Sequence, residues 1–247
     1  MNNHRHLSTI ILAAGRGTRM QSDQAKVLHL LSGKPLLDYS LKLSRTIGSE
    51  RIVVIVGHQA ELVRRAFPAP DIVFAEQRPQ LGTGHAVLQA RDQFSDYMGI
   101  ILILCGDVPC LKAATVQSLI DRHCAEQAAV TVMTTLLDDP GSYGRVITDQ
   151  GGDVLKIVEA RDASDQEKQV REINTGIYCA DSRFLFEAVV KIKNDNSQRE
   201  YYLTDIIEIA CKMGRPVRSF IAADCLEVMG INTPEDLETA RGHLACG

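Results

Sequence analysis

Much of what marks a function class is missing from this chain. It has no excess of basic charge: 27 Lys and Arg stand against 31 Asp and Glu, a net −4, which speaks against a nucleic-acid partner. The longest strongly apolar run, Gly99–Cys105, falls far short of the ~20 residues a membrane helix needs, so no membrane partner is expected. The N-terminal MNNHRHLSTIILAAG lacks a signal-peptide layout, because its short apolar run leads directly into arginines. The cysteines, at 105, 110, 124, 179, 211, 225 and 246, include no Cys-x-x-Cys pair. Neither a disulfide framework nor a zinc site fits them; reduced thiols in a cytoplasmic protein do. Gly-x-Ser-x-Gly and His-Glu-x-x-His are absent. Gly15-x-Gly17-x-x-Met20 lacks the third glycine of a dinucleotide fingerprint, and Gly33-Lys34-Pro35 fails as the end of a phosphate loop. The histidines form no metal-like cluster, and His4, His6 and His29 read as tail or helix surface. No internal repeat or low-complexity tract is present.

What remains is 247 residues of ordinary globular composition, 45% hydrophobic and 23% charged. That length suits one large domain, 1–247, with a small lobe. Short β-branched runs at Ser8–Ala14, Arg51–Val56, Asp71–Ala75, Ile100–Leu104 and Val130–Leu136 alternate with helical stretches at Pro35–Ile47, His58–Phe67, Thr83–Phe94 and Ala114–Glu126. Apolar strands without alternation have both faces covered, which predicts an α/β fold with a doubly wound, mostly parallel sheet. The nucleotide-binding half is expected at about 7–136. The small lobe and sugar-binding half is expected at about 137–232, and its first part, 137–172, turns polar: DDPGSYGR reads as a loop leading into a hairpin, and RDASDQEKQVRE as an exposed helix with a Ser164/Glu167 capping box. A small β lobe is placed there. A strand at 173–181, helices at 182–193 and 203–213, strands at 217–221 and 227–231, and a last helix over 233–247 capped by Thr233 complete the reading.

In such sheets ligands bind beyond the carboxyl ends of the strands. Arg5, Arg16, Arg19, Lys26 and Lys34 face a single acid, Asp23, within residues 1–35, which points to a local anion site. Gly15-Arg16-Gly17-Thr18-Arg19 follows the first strand; it is either a structural turn or a cradle of backbone N–H groups with a bidentate phosphate donor. Lys26 is either a surface lysine or a second phosphate cation. In QRPQLGTG, Gln77 and Gln80 carry the two-way amide chemistry that reads a base edge, or the tract is a turn before a helix. Asp107, after an apolar strand, suits Mg²⁺ beside phosphates or a simple turn. Asn232 is a possible amide-oxygen ligand or part of a helix cap. Glu159, Asn174 and Thr175-Gly176 offer polar groups for sugar hydroxyls or sit at the surface, and Thr204, where EYYLTD opens a helix, could meet a phosphate together with backbone donors.

Taken together, LAAGRGTRM at 12–20, KVLHLLSGKP at 26–35, QLGTGHAV at 80–87, GDVP at 106–109, DDPGSYGR at 138–145, EINTGIY at 172–178 and EYYLTD at 200–205 resemble the uridylyltransferase domain of the bacterial bifunctional N-acetylglucosamine-1-phosphate uridylyltransferase/glucosamine-1-phosphate acetyltransferase family. The resemblance implies a nucleotidyltransferase (Rossmann-like) fold with a sugar-binding lobe. It implies that Leu12, Ala13, Ala14 and Gly15 bind substrate, with Arg19 and Lys26 as the catalytic cations on the triphosphate. Gln77, Gln80, Gly82 and Thr83 would select uracil. Gly144, Glu159, Asn174, Tyr202 and Thr204 would hold the amino-sugar phosphate, and Asp107 and Asn232 would bind Mg²⁺. The implied reaction joins UTP and N-acetylglucosamine 1-phosphate into UDP-N-acetylglucosamine, a cell-wall precursor, and pyrophosphate. Another sugar or base, or a non-catalytic sugar-nucleotide sensor, is the alternative. Four positions depart from the family pattern: Ala25 stands for Pro, Cys105 for an aromatic, Arg161 for Lys and Arg199 for Gly. The bifunctional members continue into a hexapeptide-repeat β-helix that carries the acetyltransferase. These residues contain no such repeat, so acetyl-CoA chemistry is not expected of them. Nothing in the chain fixes an oligomeric state.

Overall fold

The computed structural model describes residues 6–246, side chains included to Ala245. Arg5 and His4, part of the expected cationic tail, lie outside them. Four apolar strands, β1 (Leu7–Ala13), β4 (Ile52–Val56), β5 (Ile72–Glu76) and β6 (Ile100–Cys105), pair in parallel. A two-residue hairpin, β2 (Leu30–Leu31) and β3 (Lys34–Pro35), stands apart from them. The sheet continues through β7 (Val130–Leu136), the hairpin β8 (Arg145–Thr148) and β9 (Val154–Val158), β10 (Glu172–Asp181) and β11 (Val217–Ile221). Its order is β11-β7-β10-β6-β1-β4-β5, with β8 attached to β10. Along that path only β10 runs against its neighbours, so the sheet is mostly parallel as the sequence pattern requires.

Helices cover both faces. On one side Ile10, Val53, Ile101 and Val132 pack against α3 (Thr83–Leu88), α5 (Ser182–Val189) and α6 (Asp205–Lys212). On the other, Ile11, Val54, Leu102 and Met133 pack against α1 (Leu36–Thr46), α2 (Ala60–Ala66) and α4 (Ala113–Ala125). Neighbours in one strand go to opposite layers, which is the period-2 rule applied twice. Among the described residues no helix is long and apolar enough to cross a membrane.

Three expected elements differ. The helix expected over Thr83–Phe94 stops at Leu88, and a 3₁₀ turn follows at Arg91–Phe94. The Gln89 side chain donates to the His85 carbonyl, so the Gln89 N–H turns to Ala86 and Val87 instead and the helix tightens. The exposed helix in 161–172 is only a 3₁₀ turn, Glu167–Gln169. The Ser164/Glu167 capping-box bonds do form. With no apolar stripe to bury, however, nothing extends that turn. The strand expected at 227–231 is replaced by a one-turn helix, α7 (Cys225–Val228), started by the Asp224 carboxylate on the Leu226 N–H. The last helix, α8 (Pro234–Cys246), is capped as expected: Thr233 Oγ1 accepts from the Asp236 N–H, and Asp236 accepts from the Thr233 N–H.

Candidate active site

A cleft of about 430 Å³ opens at the carboxyl ends of β1, β5 and β6, lined by Leu12–Arg16, Lys26, Gln77, Gln80, Gly82, Thr83, Cys105, Asp107 and Glu200. The glycine loop after β1 turns through Gly17 at φ +68°, and a Cβ there would stand 2.7 Å from Lys26 Cβ. Only glycine lets the loop and the lysine approach so closely. Lys26 Nζ reaches the Asp107 carboxylate and lies 2.8 Å from Asn232 Oδ1, and Arg19 donates to the same Asn232 oxygen at 2.9 Å. Positions 19, 26, 107 and 232, spread over most of the chain, thus form one cluster.

The backbone holds that cluster in place. The Gly106 N–H donates to Leu12 and the Ile231 N–H to the Asp107 carbonyl. Asn232 is fixed twice, its amide donating to the Gly230 carbonyl at 2.9 Å and its backbone N–H to the Asp236 carboxylate at 2.8 Å. The helix cap that competed with a ligand role for Asn232 is therefore what orients it. Asp107 and Asn232 offer one carboxylate and one amide oxygen, both already facing a cation, Lys26 Nζ. This is a hard-oxygen pair that fits a divalent ion completing its shell with phosphate and water. Among the described residues no three His, Cys, Asp or Glu side chains stand together as a metal cage.

The Gln77–Thr83 tract is stapled to the segment before α6. Tyr201 N–H donates to Leu81, Gly84 N–H to Tyr201, and Leu203 N–H to the Thr83 hydroxyl. Gly82, at φ +101°, packs so tightly that a Cβ would meet the Tyr201 carbonyl at 2.7 Å. Gln80 Nε2 is committed to the Ala14 carbonyl at 2.6 Å, which ties the tract to the glycine loop.

The expected sugar residues are less convergent. Thr204 Oγ1 lies 3.3 Å from Glu159 Oε1, and a Cβ at Gly144 would lie 3.6 Å from the same oxygen, so these three meet. The Asn174 N–H donates to the Gly144 carbonyl, which brings Asn174 alongside. Burial pushes the Glu159 carboxyl above the usual carboxylate range. Tyr202 departs from the group: its hydroxyl pairs with Gln198 and Asp162, and with Glu159 it lines a second cavity of about 630 Å³.

Two tyrosines had no sequence signal of their own. Tyr143, inside DDPGSYGR, approaches Asp107, Asp236 and the Gly230 backbone, and burial pushes its phenol up to about 12. Tyr178 is fully buried near Glu159, Asn174 and Cys105, its hydroxyl making no well-formed hydrogen bond. Arg16 and Glu200 line the cleft as well.

The family model for nucleotidyl transferases matches residues 8–228. The chain belongs to the nucleotidyl transferase family. It is 50% identical over 235 residues to the bifunctional protein GlmU of Geotalea daltonii, covering 95% of this chain and 51% of that protein. The GlmU of Desulfotalea psychrophila is 43% identical over 244 residues, 99% of this chain and 72% of that protein. The chain thus spans about half the length of most of the curated relatives it matches. A solved structure described as a glucose-1-phosphate thymidylyltransferase from Bacillus anthracis superposes with a TM-score of 0.74 at 19% identity, over 96% of this chain and 94% of that one. It shows the nucleotidyltransferase fold that the motifs led us to expect.

Proposed function

We propose that this nucleotidyl transferase moves a uridylyl group from UTP to N-acetylglucosamine 1-phosphate, releasing pyrophosphate. The observation that carries the reading is the meeting of Arg19, Lys26, Asp107 and Asn232 at a cleft whose wall is Gln77, Gln80, Gly82 and Thr83. A phosphate oxygen of the sugar attacks the α-phosphorus in line with the departing pyrophosphate. The nucleophile is already anionic, so no general base is required; holding two anions together is the work. The glycine loop and Arg19 receive the triphosphate, and Lys26 spreads the charge that builds on the leaving group. Asp107 and Asn232 would hold Mg²⁺, which when bound neutralises phosphate charge between the reactants. Glu159, Thr204, Asn174 and the Gly144 backbone receive the sugar, with Tyr202 behind them.

Pyrophosphate release from UTP, the sugar phosphate and Mg²⁺ tests the reading, run beside a panel of the four nucleotides and several hexose phosphates. Asp107→Ala is expected to lower turnover about a hundredfold or more, as loss of one transition-state electrostatic partner does. Near-normal turnover in that variant would remove the metal assignment. Tight UDP-sugar binding without turnover in the parent chain would make it a sensor.

A further inference from the structure

Gln77 is held from behind. Its Nε2 donates to the Gly82 carbonyl at 2.9 Å and lies 3.1 Å from Nδ1 of His85 on α3. A carbonyl can only accept, so Gly82 forces the amide nitrogen to that side, and the second amide hydrogen meets the imidazole. Both hydrogens are then spent. Oε1 is left as the open hydrogen-bonding atom of a residue that lines the cleft. His85 Nδ1 must accept, which requires a neutral ring carrying its proton on Nε2. Gln89 presses on the other ring nitrogen, its Nε2 3.2 Å from His85 Nε2 while donating to the His85 carbonyl at 3.0 Å. An imidazolium would set N–H against N–H on both sides. Gln77 is buried and anchored by the Gly82 carbonyl, whereas Gln89 is half-buried at a helix end, so it is Gln89 that gives way at the Nε2–H while keeping its bond to the His85 carbonyl. Burial also lowers the His85 pKa, favouring the neutral ring at pH 7. The ring flanks an apolar hollow of about 300 Å³ with Leu81, Leu88, Val189, Val190, Ile192 and Tyr201; Tyr201, 6.2 Å away between ring centres, is the one other titratable group there among the described residues.

We propose that His85, as a neutral acceptor, is a specificity-determining positioning residue: it locks the Gln77 amide so that the cleft presents a carbonyl oxygen to a pyrimidine bearing a ring N–H. Uracil offers N3–H at that point. Cytosine offers an unprotonated N3, and two acceptors would then face each other. This deepens the uridylyl-transfer reading and rests on it.

The test compares the parent chain with His85→Phe, which keeps a flat ring without an acceptor, and His85→Asn, whose Oδ1 lies close to the place of Nδ1. Equilibrium binding of UTP and CTP is measured alongside turnover. His85→Phe is expected to weaken UTP binding and raise the UTP KM about tenfold, the scale of one neutral hydrogen bond, with kcat within about threefold. Its preference for UTP over CTP falls by a similar factor, while His85→Asn stays within about threefold of the parent in all three. Lowering pH through the His85 pKa raises the UTP KM of the parent and leaves that of His85→Asn flat. A His85→Phe protein with parental UTP affinity and preference overturns the proposal, as does a His85→Asn protein as impaired as His85→Phe. A parent chain that binds UTP but releases no pyrophosphate sinks the transfer reading alone, since the binding comparison still reads the histidine.

Discussion

The two sides of the cleft solve opposite problems. On the nucleotide side the cluster is paired: Lys26 with Asp107, and the Asn232 oxygen with both Lys26 and Arg19. On the sugar side the polar atoms wait. Glu159 is half-buried with a single hydroxyl at 3.3 Å, and the buried Tyr178 hydroxyl makes no well-formed hydrogen bond. Groups that must meet a triphosphate keep their charge by pairing with one another, which also fixes their positions before substrate arrives. Groups that meet sugar hydroxyls hold little charge and leave hydrogen-bonding capacity unspent. The first side gains order from electrostatics; the second stores a desolvation cost that a ligand can relieve.

The sharpest way to break this contrast is a double-mutant cycle. If Lys26 and Asp107 act as one unit, Lys26→Ala in the Asp107→Ala background costs much less kcat/KM than it does in the parent, a coupling of about 1–3 kcal/mol. Additive losses would mean the pair is only a contact and the two sides are alike. Next in size is Gly176→Ala, where the sides touch. Gly176 sits in the irregular stretch of β10 at φ +78°, and a Cβ would fall 2.9 Å from Cys105 Sγ. Left-handed strain and overlap together are expected to cost about 2 kcal/mol of unfolding free energy, measured by denaturant titration. Cys105→Ala should return only the overlap part. A larger recovery would mean the backbone there tolerates a side chain.

Asp205 tests the sugar side by pH. Burial first, then Glu208, raises its pKa from 3.8 to about 6. A carboxyl that protonates more easily in the folded state favours folding at low pH, and this contribution is lost as pH rises through about 6. Asp205→Asn, which carries no charge, is therefore expected to be more stable than the parent at pH 8, by about 1 kcal/mol after allowing for partial solvent screening. The gain should shrink toward pH 4. Thermal melts at the two pH values check it. An equal gain at both would assign the effect to packing rather than charge.

The order of strands and helices was legible because apolar runs and their spacing report burial directly. So was the glycine loop, since glycine and arginine after a strand are a local signal. The cluster of Arg19, Lys26, Asp107 and Asn232 was readable residue by residue, but not as a cluster: positions 19 and 232 meet only through the pairing of distant strands. Tyr143 and Tyr178 could not be read, because a tyrosine looks the same in core and in site until its hydroxyl is traced. Glu227 shows the same limit in a structural role. Its buried carboxylate is held by Lys112 at 2.8 Å and by Thr115, and LEV within an apolar run gives no hint of it. Short elements were misread where side-chain hydrogen bonds, at Gln89 and Asp224, outweighed the local pattern.

The smallest expected effect concerns Arg199. The family resemblance implies glycine at this position, and the φ of Arg199 is +54°. An L-residue there carries about 1–2 kcal/mol of left-handed strain, part of which glycine would give back as unfolded-chain entropy. Asn196 holds the turn regardless of residue 199, donating to the Glu200 carbonyl at 2.6 Å and accepting the Glu200 N–H at 3.1 Å. Arg199→Gly is thus expected to raise stability by about 0.5–1 kcal/mol, or about 1–4 °C in Tm, with the UTP KM unchanged. The second half of that expectation bears on the contrast. The segment that follows Arg199 staples the Gln77–Thr83 wall through Tyr201 and Leu203, so a changed KM would show that the nucleotide side borrows its rigidity from this turn and not from its own charge pairs.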